Sequence, residues 1–208
     1  MVWYEEEIKR LEIAAAAFPQ QPRMVFYGSS SIRLWHTLDD DFKGYAPFNM
    51  GFGGSTLAAC SWYFDRLFTR ITPHALVIYA GDNDLGDGRS AEEVLLIFSK
   101  LVQLIQHRFG EIPVGFISIK PSVRRWEIID KVKRANLLIQ KEISKEGGKL
   151  CYINIFDAMT DQAGYPRREY LASDGLHIND TGYELWNRII QQHISSGQLH
   201  LANQPLLT

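Results

Sequence analysis

Ser30 stands in the run Gly28-Ser29-Ser30-Ser31, directly after the apolar stretch Met24-Val25-Phe26-Tyr27. A serine between the end of a strand and the start of a helix carries its Oγ over the sheet edge. Its backbone N–H is then aimed at an incoming carbonyl oxygen. The triplet also reads as a cap and turn, because a hydroxyl becomes a useful nucleophile only with a base in reach. His36, His74, His107, His193 and His200 sit beside helical or surface-like patterns without polar company. His177 instead follows Asp174 by three residues. That is close enough for the carboxylate to take the Nδ1–H bond, fix the tautomer and stabilise the imidazolium. A turn plus a cap accounts for Asp-x-x-His about as well.

Acyl transfer also needs donors where negative charge develops, each worth roughly 3–4 kcal/mol in the transition state. Gly54, in Gly51-Phe52-Gly53-Gly54-Ser55, could offer a backbone N–H unobstructed by a side chain, and Asn83 a side-chain amide. Separately, the glycines could serve only a tight turn and Asn83 its own loop. Four such signals, in the order Ser, Gly, Asn, Asp-x-x-His, carry more together than apart. Phe52, Trp62, Arg125 and Trp126 flank the same loops and are candidate substrate contacts, although aromatics beside a sheet often belong to the core. One rival reading gives Asp82, Asp84, Asp174 and His177 to a divalent cation that activates water, which leaves the Ser/Gly/Asn order unexplained. Another makes Gly28–Ser31 an anion cradle at a helix N-terminus in a non-catalytic module, as in flavin-binding proteins of this topology. It has no use for the Asp-x-x-His pair.

These residues need elements to hold them. Apolar runs at Met24–Tyr27, Ala46–Met50, Ala75–Ala80, Val114–Ile119 and Leu150–Ile155 are nearly continuous, as a parallel sheet covered on both faces requires. Helical spacing lies between and around them. Tyr4, Ile8, Leu11, Ala15 and Phe18 mark a first helix over 3–18, stopped by Pro19 and Pro22. Ser90-Ala91-Glu92-Glu93 reads as a capping box ahead of the stripe Val94, Phe98, Leu101 and Ile105. Ile128, Val132, Ala135, Ile139 and Ile143 form another stripe, stopped by Gly147-Gly148, and Tyr183 to Ile194 the last helix. Strands alternating with helices imply βαβ units and a doubly wound sheet. In such sheets ligands bind beyond the carboxyl ends of the strands, where the polar and Gly-rich stretches fall.

The set Gly28-Ser29-Ser30, Asn49-x-Gly-x-Gly-Gly54, Gly81-Asp82-Asn83-Asp84 and Asp174-Gly175-Leu176-His177 resembles the four signature blocks of the SGNH, or GDSL-like, hydrolase superfamily. The match runs from about Val25 to Trp186. The resemblance implies a flavodoxin-like three-layer α/β/α sandwich with strand order 2-1-3-4-5. It implies ester hydrolysis through an acyl-enzyme, with no metal and no cofactor. Carried over, Ser30 would be nucleophile and first oxyanion donor, Gly54 and Asn83 the other donors, His177 the base and Asp174 its orienter. One position departs, since Ser29 stands where the family usually has Asp. Family substrates range over short acyl esters, acetylated sugars, lysophospholipids and thioesters. The small loops between blocks favour a modest pocket and a short acyl chain.

Composition bounds the rest. The chain has 208 residues, 46% hydrophobic and 22% charged, with net charge −2. That length suits one domain over 1–208, with a core of about 24–194 and a tail of 195–208. Near-neutral charge without a basic block gives no reason to expect nucleic acid or an anionic membrane. No apolar stretch approaches the ~20 residues of a transmembrane helix. Two cysteines, Cys60 and Cys151, are too few for a disulfide scaffold and lack zinc spacing. With an acidic Met1–Glu7 in place of a leader, the expectation is a cytoplasmic protein. The tail could pack on its own subunit or on a neighbour, which leaves a homo-oligomer open.

Overall fold

In the computed structural model, which describes residues 2–19, 21–146 and 148–199, the five apolar runs pair as one parallel sheet. Its strands are β1 (Met24–Gly28), β2 (Pro47–Gly51), β3 (Ala75–Tyr79), β4 (Val114–Ile117) and β5 (Leu150–Ile153), in the order β2-β1-β3-β4-β5. This is the architecture the sequence reading anticipated. Strand ends differ from the apolar runs for local reasons. Ala46, expected to open β2, has φ +42° and turns the chain into the strand, its carbonyl accepting the Arg23 N–H at 3.3 Å. Ile119 and Ile155 are buried but leave the ladder, because their N–H groups donate to the side chains of Asn136 (2.8 Å) and Ser118 (3.0 Å).

Side chains alternate between the two faces of the sheet, so each strand feeds two cores. Val25, Tyr27, Leu76, Ile78 and Phe116 pack under α1 (Glu5–Ala17), α4 (Leu57–Leu67), α6 (Ala91–Phe109) and α7 (Ile129–Glu146). Met24, Phe26, Val77, Tyr79 and Ile117 pack against Ile32 of α2 (Ser30–Arg33), Leu38 of α3 (Leu38–Asp41), and Tyr183, Trp186 and Ile190 of α8 (Asp180–Ser195). A short α5 (Asp82–Gly86) follows β3.

The expected helical signals have their physical counterparts. Both hydrogen bonds of the Ser90–Glu93 capping box form, and Val94, Phe98, Leu101 and Ile105 are all buried. The first helix differs at its start, where Val2–Tyr4 form a 3-10 turn. The last begins three residues before Tyr183, because the Asn179 side chain accepts the N–H of Gly182 and caps it there. Gly147, expected to stop α7, lies outside the described residues, as do 200–208 of the tail. Leu199 is buried against the α8 face of the sheet.

Helix α1 is fastened to α4 by Arg66, whose guanidinium meets Glu5 at 2.7 Å and Glu12 at 2.6 Å. Exposed ion pairs are individually weak. Most of the attachment therefore comes from burying Ile8, Leu11 and Ala15. The consequence is positional, since this packing brings Tyr4 and Glu7 to the edge of the sheet that carries Ser30. Among the described residues no helix is long and apolar enough to cross a membrane.

Candidate active site

The strand order reverses between β1 and β3, so the chains leaving these two strands diverge and open a crevice at their carboxyl ends. Gly28 closes β1 at φ +144°, and any Cβ there would collide with the Tyr79 carbonyl. Only glycine permits that approach. The Ser29 N–H then donates to the same carbonyl at 2.9 Å, and Ser30 becomes the first residue of α2. Ser29 and Ser31 are buried, whereas Ser30 is half-buried at the crevice.

The turn before α8 supplies the opposite wall. One oxygen of Asp174 accepts the N–H groups of Leu176 and His177, both at 2.9 Å. Its other oxygen lies 2.6 Å from His177 Nδ1, and His177 Nε2 lies 3.1 Å from Ser30 Oγ. The His177 imidazole, with help from the two backbone N–H groups, holds the Asp174 carboxyl well below the usual carboxylate range. An ionised carboxylate only accepts, so the proton sits on Nδ1 and Nε2 is left to accept from the serine hydroxyl. A base oriented by a carboxylate and seated against a hydroxyl can activate that hydroxyl as a nucleophile.

Gly54 and Asn83, expected as the further oxyanion donors, line the same cavity. Gly54 has φ +69°, and a Cβ there would meet open space. Asn83 is the second residue of α5; its Nδ2 donates to the Ser55 carbonyl at 3.0 Å and its Oδ1 accepts from Arg125 at 2.9 Å. The cavity measures about 490 Å³, and Leu176 is the one apolar side chain among its lining residues. Glu7 and Arg33, paired at 3.6 Å, form part of its wall. Lys120 reaches it from the β4 side, its side chain 1% exposed and 3.5 Å from Asp82. Burial pushes the Lys120 ammonium below its ordinary range, against the attraction of Asp82.

Ser30, Gly54, Asn83, Asp174 and His177 thus gather at one crevice, but the four expected substrate contacts are placed otherwise. Phe52 is fully buried, edge-on to Tyr4 (5.4 Å) and Tyr63 (6.2 Å), because it leaves β2 pointing into the core. Trp62 projects from the outer side of α4 beside Leu96 and Leu104, away from the cavity. Trp126 stacks on Tyr165 at 4.8 Å and does not line the cavity. Arg125 meets the site from behind, through Asn83 and an ion pair with Asp82 at 2.8 Å. Sequence reasoning missed Glu7, Arg33, Lys120 and Leu176. Of these, Leu176 carried a signal, its place between Asp174 and His177.

The carboxylates weighed as a metal set are otherwise engaged. Asp82 is taken by Arg125 and Lys120, while the buried Asp84 accepts the Leu57 N–H at 2.7 Å. Burial raises the Asp84 carboxyl above its ordinary range. Among the described residues no three His, Cys, Asp or Glu side chains gather as metal ligands.

Comparison with known proteins adds the lineage. A Streptococcus pneumonia protein named for platelet activating factor superposes with TM-score 0.82 at 20% identity, covering 91% of this chain and 92% of its own. A GDSL-like lipase from Bacteroides thetaiotaomicron gives 0.76 at 23%, covering 91% and 98%. A family 3 carbohydrate esterase from Clostridium thermocellum gives 0.68 at 15%, covering 88% and 100%. At these identities the likeness is one of fold. No curated protein matches the chain. The model of the GDSL-like lipase/acylhydrolase family matches residues 25–185, which takes in the first strand, the crevice and the turn that carries His177. The chain belongs to this family and is an ester-bond hydrolase.

Proposed function

We propose that the enzyme cleaves acetyl or other short-chain esters of a small polar alcohol through an acyl-enzyme on Ser30. The observation that carries this reading is the continuous relay from Asp174 through His177 to Ser30 Oγ, at 2.6 and 3.1 Å. Ser30 Oγ attacks the ester carbonyl carbon while its proton passes to His177 Nε2. The N–H groups of Ser30 and Gly54 and the Asn83 amide receive the charge on the carbonyl oxygen. Collapse of the tetrahedral intermediate breaks the bond to the alcohol oxygen, which leaves with the proton from Nε2. Water, deprotonated by the same nitrogen, then attacks the acyl group and regenerates Ser30.

The cavity supports a short acyl chain and a polar alcohol. Its wall is formed by serines, glycines, Asn83, His177 and the charged Glu7, Arg33, Asp82 and Lys120, and only Leu176 offers an apolar side chain. A long acyl chain would find little surface to bury there. Sugar esters are the preferred class, in keeping with the carbohydrate esterase among the structural relatives. The unpaired Cys60 and Cys151 suit a reducing compartment such as the cytoplasm.

The test is a panel of p-nitrophenyl esters of increasing chain length and of acetylated sugars, run on wild type and Ser30→Ala together. Activity confined to short chains and lost in Ser30→Ala is expected. Preference for long acyl chains would reject the substrate class, and persistent turnover by Ser30→Ala the acyl-enzyme.

A further inference from the structure

We infer that Arg125 is a positioning residue that sets the orientation of the Asn83 amide and thereby the oxyanion site. The inference rests on Asn83 being one of the oxyanion donors. Arg125 Nη2 donates to Asn83 Oδ1 at 2.9 Å, and Asn83 Nδ2 donates to the Ser55 carbonyl at 3.0 Å. A guanidinium can only donate and a carbonyl can only accept, so a flipped amide would lose both bonds. The arrangement leaves one N–H of Nδ2 without a protein acceptor among the described residues, on a side chain that lines the cavity with Ser30.

The guanidinium is itself anchored by an ion pair, given space by a glycine, and carried on a tethered loop. Its Nη1 lies 2.8 Å from Asp82 Oδ1, which fixes the charge one residue before Asn83. Gly86, at the end of α5, leaves room for it, since a Cβ there would stand 2.8 Å from Arg125 Cζ. The loop that carries Arg125 is tied to the other half of the site, because the Arg124 N–H donates to the Gly175 carbonyl at 3.0 Å. Gly175 lies between Asp174 and His177. One short segment thus braces the oxyanion donor on one side and the turn of the base on the other. A donor on a carbonyl oxygen also polarises the amide, which strengthens its remaining N–H as a donor.

The experiment compares kcat and KM for p-nitrophenyl acetate in wild type, Arg125→Ala, Asn83→Ala and the double variant. Arg125→Ala should lose up to about 10²-fold in kcat, as a misaligned group does, with KM changed little. The double variant should be no slower than Asn83→Ala alone, because Arg125 acts through the amide. Low concentrations of guanidinium should restore part of kcat in Arg125→Ala and none in the double variant. Losses that multiply in the double variant, or a raised KM at unchanged kcat, would overturn the inference while leaving the oxyanion reading in place. Full activity in Asn83→Ala would remove that reading and this inference with it. Should Arg125→Ala fail to fold, Arg125→Lys serves: its ammonium can face Asp82 but lacks the fork that spans Asp82 and Asn83. Wild-type kcat in Arg125→Lys would likewise overturn the inference.

Discussion

The phenol of Tyr4 donates a 2.9 Å hydrogen bond to the carbonyl of Gly54, across 50 residues of sequence. The N-terminal segment is thereby latched onto the glycine loop that faces the candidate nucleophile. Burial raises the phenol above its ordinary range, so it remains a donor at neutral pH. The ring is edge-on to Phe52 and Tyr63, contacts that a phenylalanine keeps. Tyr4→Phe should therefore cost about 1 kcal/mol in stability, as one hydrogen bond does, and should lower kcat by loosening the loop at Gly54. Urea unfolding and steady-state kinetics read the two effects, and an unchanged kcat would confine the latch to stability.

Ser30→Ala should reduce ester hydrolysis by several orders of magnitude with an unchanged melting temperature, because the half-buried hydroxyl contributes little to packing. A serine-directed phosphonate should label wild type once, at Ser30. Stoichiometric label on any other residue would move the nucleophile elsewhere.

What the sequence disclosed and what it hid divide along a physical line. Asp174 and His177 drew attention through their three-residue spacing, but that spacing and the serine triplet also read as turns and caps, and the roles expected of Ser30, Asp174 and His177 came from the resemblance of the four blocks taken together. The sheet was legible because strands buried on both faces must be apolar throughout. Arg125 illustrates the limit. Its proximity to a site loop was readable, yet nothing in a 42-residue separation from Asn83 says that it grips the amide from behind. Phe52 and Trp62 show the same limit for direction: which way a ring points at a strand end or on a helix is decided by the tertiary packing around it. Glu7 reaches the cavity only because α1 docks on α4 through contacts formed between distant segments.

The Asp174 carboxyl allows the acid side of the pH profile to be assigned. Its folded value lies below its unfolded one. Its stabilising contribution is therefore present above the unfolded value, about 3.9, and lost only as pH falls through the folded one. Across the neutral range the carboxylate stays ionised, so on the proposed mechanism, in which His177 accepts the Ser30 proton, an acid limb in kcat/KM is expected from the base and not from Asp174. Asp174→Asn should lower kcat by roughly 10³–10⁴ through loss of the tautomer, while His177→Ala should remove the limb along with most of the rate. A limb that survives in His177→Ala would sink the assignment.

Lys120 offers a test in which desolvation competes with an ion pair. Its side chain is 1% exposed, Asp82 lies 3.5 Å away, and burial holds the ammonium below its ordinary range. For a base whose folded value is depressed, the penalty for carrying the charge is complete below the folded value. It disappears above the unfolded one, about 10.4. Wild type should therefore gain stability from this residue as pH climbs toward that value. Lys120→Met removes the titration, keeps most of the buried volume, and leaves Asp82 paired with Arg125 at 2.8 Å. Removing one partner of a buried pair is costly when it strands the other charge, but here Arg125 keeps Asp82 compensated, and what is removed is chiefly the cost of burying the ammonium. The methionine variant should accordingly be at least as stable as wild type at neutral pH, with the difference shifting toward wild type as pH rises to about 10. Urea unfolding of both proteins across that range measures it. A large loss of stability in Lys120→Met, constant with pH, would mean that attraction to Asp82 outweighs the cost of burial.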